Sequence, residues 1–357
     1  MRSPLRFSLV AVTLAALALS ACGGDDDDDT ATADDEPATE SSDDVTLHLG
    51  YFPNVTHAPA LVGVEGGRFE DALGDGVTLE PQAFNAGPEA VTALLSGSLD
   101  ASFIGPNPAI NAFAQSNGED IRIVAGTASG GAYLVVQPEI SSPENLAGTT
   151  IASPQLGNTQ DVALRAWLKD QGYETDTTGG GDVSVIPQEN GTTLDGFIAG
   201  DIDGAWVPEP WATRLVDEGG GKILVDEADL WENGDYVTTH LVVRTDFLDE
   251  HPDVVKALIE GLGESIDLIN DDPDAAKGYV NDAILAITSN ELAPELIDAS
   301  FANIEFTLDP IASSLVISAQ HAEELGLLDP VDLDGIYALD LVNEVRADRG
   351  EEAVKDS

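Results

Sequence analysis

Between residues 45 and 226, short apolar runs alternate with segments of helical spacing. The loops joining them are rich in Gly, Pro and Asn. That rhythm leaves few folds open, because strands separated by helices favour an α/β body with a largely parallel sheet. Residues 45–51 are strand-like, with Val45, Leu47 and Leu49 on one face. A second strand is predicted at 77–84. A helix follows at 88–95, with Pro88 in its first turn and Gly97 just past its end. Residues 101–104 form a third strand, which runs into Gly105-Pro106-Asn107-Pro108 and the start of another helix. Strands at 121–125 and 133–136 flank Ser129-Gly130-Gly131.

The rhythm restarts near Leu146, with strands expected at 150–152, 183–186, 204–207 and 223–226 and helices at 159–171, 192–199 and 210–216. An extended apolar run at 237–243 follows, and beyond it the pattern is helical, near 252–269, 275–287, 293–303, 310–325 and 333–347. The arrangement predicts a two-lobed α/β protein, with lobe I formed by 45–138 and by the mainly helical 238–350. Lobe II, 139–237, is inserted, and 351–357 is a tail. Crossings near 137–147 and 234–240 would form a hinge, with a cleft between the lobes that closes on a solute.

The loops after the strands are the candidate site. Several open a helix, whose first N–H groups are unpaired and carry partial positive charge, which suits an anion. Asn85 and Gly87, Asn107, Ser129 and Gly130, and Asn158 and Thr159 fit that role, or simply cap helices and make turns. None of these loops carries Lys or Arg, so neutral donors would hold the ligand. Asn54 and His57 follow the first strand; His57 could donate to an anion or cap a helix. Trp206 and Trp211 flank Pro208-Glu209-Pro210, where an aromatic face could pack on an organic moiety and Glu209 accept from an N–H, or Trp211 could be core and Glu209 a cap. His240, beside Thr239, would face the hinge, either reading the ligand or joining a hinge network.

Four phrases resemble a known family: Gly50-Tyr-Phe-Pro-Asn-Val-Thr-His-Ala-Pro59, Phe103-Ile-Gly-Pro-Asn-Pro-Ala109, Pro154-Gln-Leu-Gly-Asn-Thr-Gln-Asp161 and Gly204-Ala-Trp-Val-Pro-Glu-Pro-Trp211. Together they are similar to substrate-binding lipoproteins of ABC importers, the group for aliphatic sulfonates, taurine, nitrate and thiamine-precursor pyrimidines. The resemblance spans about 45–350. It implies a type II periplasmic-binding-protein fold, a membrane permease and an ATPase as partners, and a small anionic solute as ligand, most simply an aliphatic sulfonate or taurine. Nitrate, bicarbonate or a pyrimidine are alternatives within the same role, and an extracellular sensor module is one outside it. The resemblance also brings Gln155, in the third phrase, to the site.

The first residues carry an export signal. Arg2 and Arg6 precede a 13-residue apolar stretch, Phe7 to Leu19, shorter than the ~20 residues needed to span a bilayer. Leu19-Ser20-Ala21-Cys22 resembles the lipobox of bacterial lipoproteins, which implies cleavage after a 1–21 signal peptide and lipid on Cys22. Residues 22–44, with five consecutive aspartates from Asp25, would be a disordered acidic tether. The expected place is therefore the outer face of the cytoplasmic membrane. Cys22 is the only cysteine, so a disulfide within the chain is impossible.

Charge and motifs exclude other classes. After residue 44 there are 12 basic against 55 acidic residues, a formal net charge of −43, which repels nucleic acid at long range. No G-x-S-x-G or H-E-x-x-H occurs, and the five histidines lack metal-ligand spacing. The expectation is a monomeric binding protein, without cofactor or metal and without chemistry of its own.

Overall fold

The computed structural model describes residues 45–356. The segments read as a signal peptide and an acidic tether, with Cys22 between them, lie outside the described residues. None of the described helices is long and apolar enough to cross a membrane.

The first block forms strands β1 (Val45–Tyr51), β2 (Val77–Ala83), β3 (Ala101–Ile104) and β4 (Ile121–Gly130), with helices α1 (Ala58–Glu65), α2 (Arg68–Leu73), α3 (Gly87–Leu95) and α4 (Pro106–Gln115) between them. The second block holds β5 (Ala132–Val136), β6 (Thr150–Ser153), α5 (Thr159–Asp170), β7 (Ser184–Pro187), α6 (Asn190–Ala199), β8 (Gly204–Pro208), α7 (Trp211–Asp217) and β9 (Lys222–Asp226). The chain then runs through β10 (Val237–Arg244), α8 (Thr245–Glu250), α9 (Pro252–Asp271), α10 (Pro273–Thr288), α11 (Pro294–Ala302), β11 (Ile304–Phe306), α12 (Ala312–Glu324) and α13 (Asp340–Asp348).

Two sheets result, ordered β11-β4-β10-β3-β1-β2 and β7-β6-β8-β5-β9. In each, the parallel strands lie together at one end: β1 pairs with β2 and β3, and β6 with β7 and β8. The largely parallel sheet expected from the sequence is not found, because antiparallel pairs make up the rest of both sheets. β10 runs antiparallel to β3 and β4, and β5 runs antiparallel to β8 and β9. Both begin directly after the chain has crossed between sheets, with no crossover helix to reverse its direction. Each sheet is buried on both faces. Leu49, Phe103 and Leu241 pack with α1, α2 and α9 on one side of the first sheet, and Ile104, Ile123 and Val242 pack with α3 and α4 on the other.

The crossings differ from expectation. β5 already belongs to the second sheet, so the chain leaves lobe I at Gly130-Gly131, not at 137–147, and lobe II opens at Ala132, not at 139. Gly130 and Gly131 have φ of 83° and 73°, a left-handed turn that steers the chain off the first sheet. The return runs through two short 3-10 turns, Glu227–Leu230 and Glu232–Gly234, into β10. Within the expected helical region β11 is an extra strand, pairing Ile304 with Gly130, and the last helix starts at Asp340, not at 333.

Candidate ligand-binding cleft

Helix starts from both lobes meet in one buried cavity. Lobe I contributes Phe52, Asn54, Thr56 and His57 after β1, Asn85 and Ala86 ahead of α3, and Gly105 ahead of α4. Lobe II contributes Pro154, Asn158, Thr159 and Gln160 around the start of α5, Asn190 at the start of α6, and Pro208, while Thr238 comes from β10. No Lys or Arg is among these residues. The positive field therefore comes from backbone N–H groups at the first turns of α3, α4, α5 and α6, which have no partner within their own helices. The enclosed space is small, with 20 Å³ open to the centre of a water molecule, against the ~10–15 Å³ that one water needs. It has room for little more than one water molecule.

Internal bonds hold the loop that presents its donors. Asp161 accepts from Ser153 Oγ (2.7 Å) and from the Gly157 N–H (3.0 Å), and is paired with Arg165 inside lobe II. That buried triad locks the loop that presents Asn158 and Thr159. Thr159 is buried, and its Oγ1 has no hydrogen-bond partner. A Cβ on Gly105 would collide with that same hydroxyl, so glycine is required there for the lobes to meet. The Asn190 Oδ1 is likewise buried without a partner. Buried polar atoms of this kind are costly unless something bonds them.

His57 is neutral. Burial pushes it down to about 3, and its Nδ1 accepts from the Phe52 N–H at 3.4 Å, so Nε2 keeps the proton and is a donor.

A second chamber of about 250 Å³ adjoins the first and shares Asn54, Asn85, Ala86, Pro154 and Asn190 with it. Pro53, Trp211 and Ile287 give it apolar walls, and Gln155 and Glu189 sit at its edge. Across it the lobes are bonded: Trp211 Nε1 donates to Asn54 Oδ1 (2.9 Å), Asn85 Nδ2 to Glu189 (3.4 Å) and Gln155 Nε2 to Glu89 (3.5 Å).

Of the residues singled out from sequence, Asn54, His57, Asn85, Asn158 and Thr159 line the inner cavity and Gln155 the outer chamber. Gly87 stands directly behind Ala86, pressed against Pro108. The others lie elsewhere. Asn107 donates to the Ser318 carbonyl and ties α4 to α12. Ser129 and Gly130 are ladder residues of β4, and the Gly130 carbonyl accepts from Thr238 Oγ1. Trp206 is fully buried in the lobe II core, with its Nε1 on Glu227 (2.7 Å). Glu209 has no free oxygen to offer: it accepts from Thr213 N and Oγ1, from Asn303 Nδ2 (2.7 Å) and from Ser300 Oγ. His240 bonds the Pro310 carbonyl through Nε2, and Thr239 Oγ1 donates to the Thr56 carbonyl, both within lobe I. Thr56, Gln160, Asn190 and Thr238 were missed; Asn190 carried the same helix-start signal as Asn158.

Comparison with known proteins agrees with this architecture. The chain is similar to the taurine-binding periplasmic protein of Escherichia coli, 33% identical over 56% of this chain and 59% of that one, so the chain spans little more than half of that relative. Among solved structures it resembles the alkanesulfonate-binding protein SsuA from Xanthomonas axonopodis pv. citri bound to MOPS (18% identity, 80% of this chain and 95% of that one, TM-score 0.67). It also resembles the nitrate-binding protein NrtA from Synechocystis PCC 6803 (18%, 85% and 89%, TM-score 0.71). These likenesses establish the two-lobed periplasmic-binding-protein fold. Residues 40–282 match the NMT1-like family, and the chain belongs to that family.

Proposed function

We propose that the chain is the solute-binding component of an ABC importer, capturing a small organic anion and handing it to a permease driven by an ATPase. The observation that carries this is the ring of four helix starts, free of Lys and Arg, closing around the unpartnered Thr159 hydroxyl. Neutral donors hold an anion firmly enough for capture and let it go without breaking a salt bridge. The relatives named as binding proteins favour capture without chemistry.

An aliphatic sulfonate or taurine is the preferred ligand. The reason is the outer chamber with Trp211, Pro53 and Ile287, which offers an alkyl portion an apolar wall that nitrate or bicarbonate would not use. Glu209 and Trp206, which suggested an organic ligand from sequence, do not contribute. A ligand that binds only the folded state raises the melting temperature, so taurine, alkanesulfonates of increasing length, nitrate, bicarbonate and a pyrimidine are to be compared by thermal shift. Alkanesulfonates should stabilise most, improving with chain length. Nitrate matching them would overturn the organic part, and response to the pyrimidine alone would overturn the anion.

The receptor is further proposed to be held at the membrane by lipid on Cys22. Cys22→Ser should then move the protein from the membrane to the soluble fraction with ligand affinity unchanged; an unaltered membrane fraction would count against the anchor.

A further inference from the structure

A second cavity, of about 240 Å³, lies away from the cleft, where α5 of lobe II, α12 of lobe I and the return crossing after β9 meet. Its walls include two indoles. Trp231 is fixed by stacking on Tyr236 (5.4 Å, 8° between planes), and Trp167 by packing against Trp206 (5.9 Å). Leu230 and Ile317, both substantially exposed, lie beside them.

The charge lining this space is of one sign. Glu227 is 2% exposed, and the hydrogen bonds given to it by the Trp206 and Trp231 side chains bring no charge to balance it. Asp170 and Glu232 also line the cavity. His321 joins them with its basicity lowered by burial, and Lys169, on the α5 helix, is bonded to Glu324 (3.0 Å). A buried carboxylate facing a cavity with aromatic walls and no lining Lys or Arg is a costly arrangement when left to itself. A cation with an apolar coat answers both halves of it, through the ring faces and through the carboxylates.

We infer that this cavity is a second binding site, for a small organic cation such as a quaternary ammonium, built from Trp231, Trp167 and Glu227. Because its walls come from both lobes and from the return crossing between them, occupation would also bias how the lobes sit, and by linkage the affinity of the cleft.

Choline is the probe. The full-length protein is titrated with choline chloride against sodium chloride at equal ionic strength, above pH 7 so that Glu227, raised by burial to about 7, is ionised. Tryptophan fluorescence and melting temperature are read together. Saturable quenching with a raised melting temperature is expected from choline and not from sodium. Trp231→Leu should weaken choline about tenfold, Trp231→Phe should keep most of the affinity, and Glu227→Gln should abolish it. Equal responses to sodium and choline, or choline binding unchanged in Trp231→Leu, would overturn the site. If Glu227→Gln fails to melt cooperatively, the Leu and Phe variants at 231 decide the matter by themselves. Anion binding at the cleft is not an input, so this site and the proposed transport function can fail separately.

Discussion

Thr159 is the side chain whose chemistry is least explained without a ligand. Its hydroxyl is buried at the start of α5, faces Gly105 of the other lobe and has no partner. Replacing it by valine removes a donor that the folded chain does not itself use. Stability should therefore change by less than ~0.5 kcal/mol in either direction. A hydrogen bond to a charged group is worth ~1.5–3 kcal/mol, so anion affinity should fall by about ten- to a hundredfold. Calorimetric titration beside a melting curve separates the two; a large melting shift with unchanged affinity would make Thr159 a packing residue. His240 tests the opposite case, a histidine expected either at the ligand or in a hinge network and found bonded within lobe I. Burial pulls it from 6.5 to about 4, so the unfolded chain takes up a proton in that interval and the folded chain does not. Stability is present above 6.5 and is lost as pH falls through the interval, by up to about 1.4 kcal/mol per pH unit for this residue. His57 adds a slope of the same sign, and Glu227, raised to about 7, opposes both. His240→Asn should therefore unfold in urea with a shallower dependence on pH than the native chain, and parallel curves would show that His240 is not held neutral.

The helix starts at the cleft were legible because their signal is local. Asn158 before Thr159 and Pro106-Asn107 after β3 announce a first turn whatever lies around them, and proline at the start tolerates the missing donor. The crossings were not legible, because β5 reads Ala-Tyr-Leu-Val-Val, a strand that either sheet would bury. Only tertiary pairing assigns it. β11 was missed because three residues between two helices are too few to show a period of two. Glu209 shows the same limit from the side of function. At the end of β8 it could have faced a ligand, but Thr213 holds one of its oxygens and Asn303, just past the end of α11 and some 90 residues later, takes the other. It thereby links the start of α7 in lobe II to α11 in lobe I. Glu209→Ala strands the Asn303 amide and the Thr213 N–H, and should cost about 2–3 kcal/mol in urea unfolding. Affinity for the anion should also drop severalfold, because the closed lobes lose a clasp. Unfolding indistinguishable from the native chain would show that water replaces those bonds at no cost.

At the scale of the whole molecule, the proposed anion receptor has to work against its own charge. The sequence beyond residue 44 carries −43, whereas the cavity attracts through helix starts whose field fades within a turn. The two effects act over different ranges, and salt distinguishes them. Surface charge is felt at ~30 Å in 0.01 M salt and at ~8 Å in 0.15 M, while donors inside a closed cavity are screened far less. An approaching sulfonate should then be repelled on the way in and held once inside. Stopped-flow association should accelerate as salt rises across that range, with dissociation nearly constant, so affinity improves with ionic strength. This is the reverse of what a cleft built on lysine or arginine would give, where salt competes with the anion. Association slowing with added salt would mean that the field at the cleft mouth is positive despite the sum of the charges.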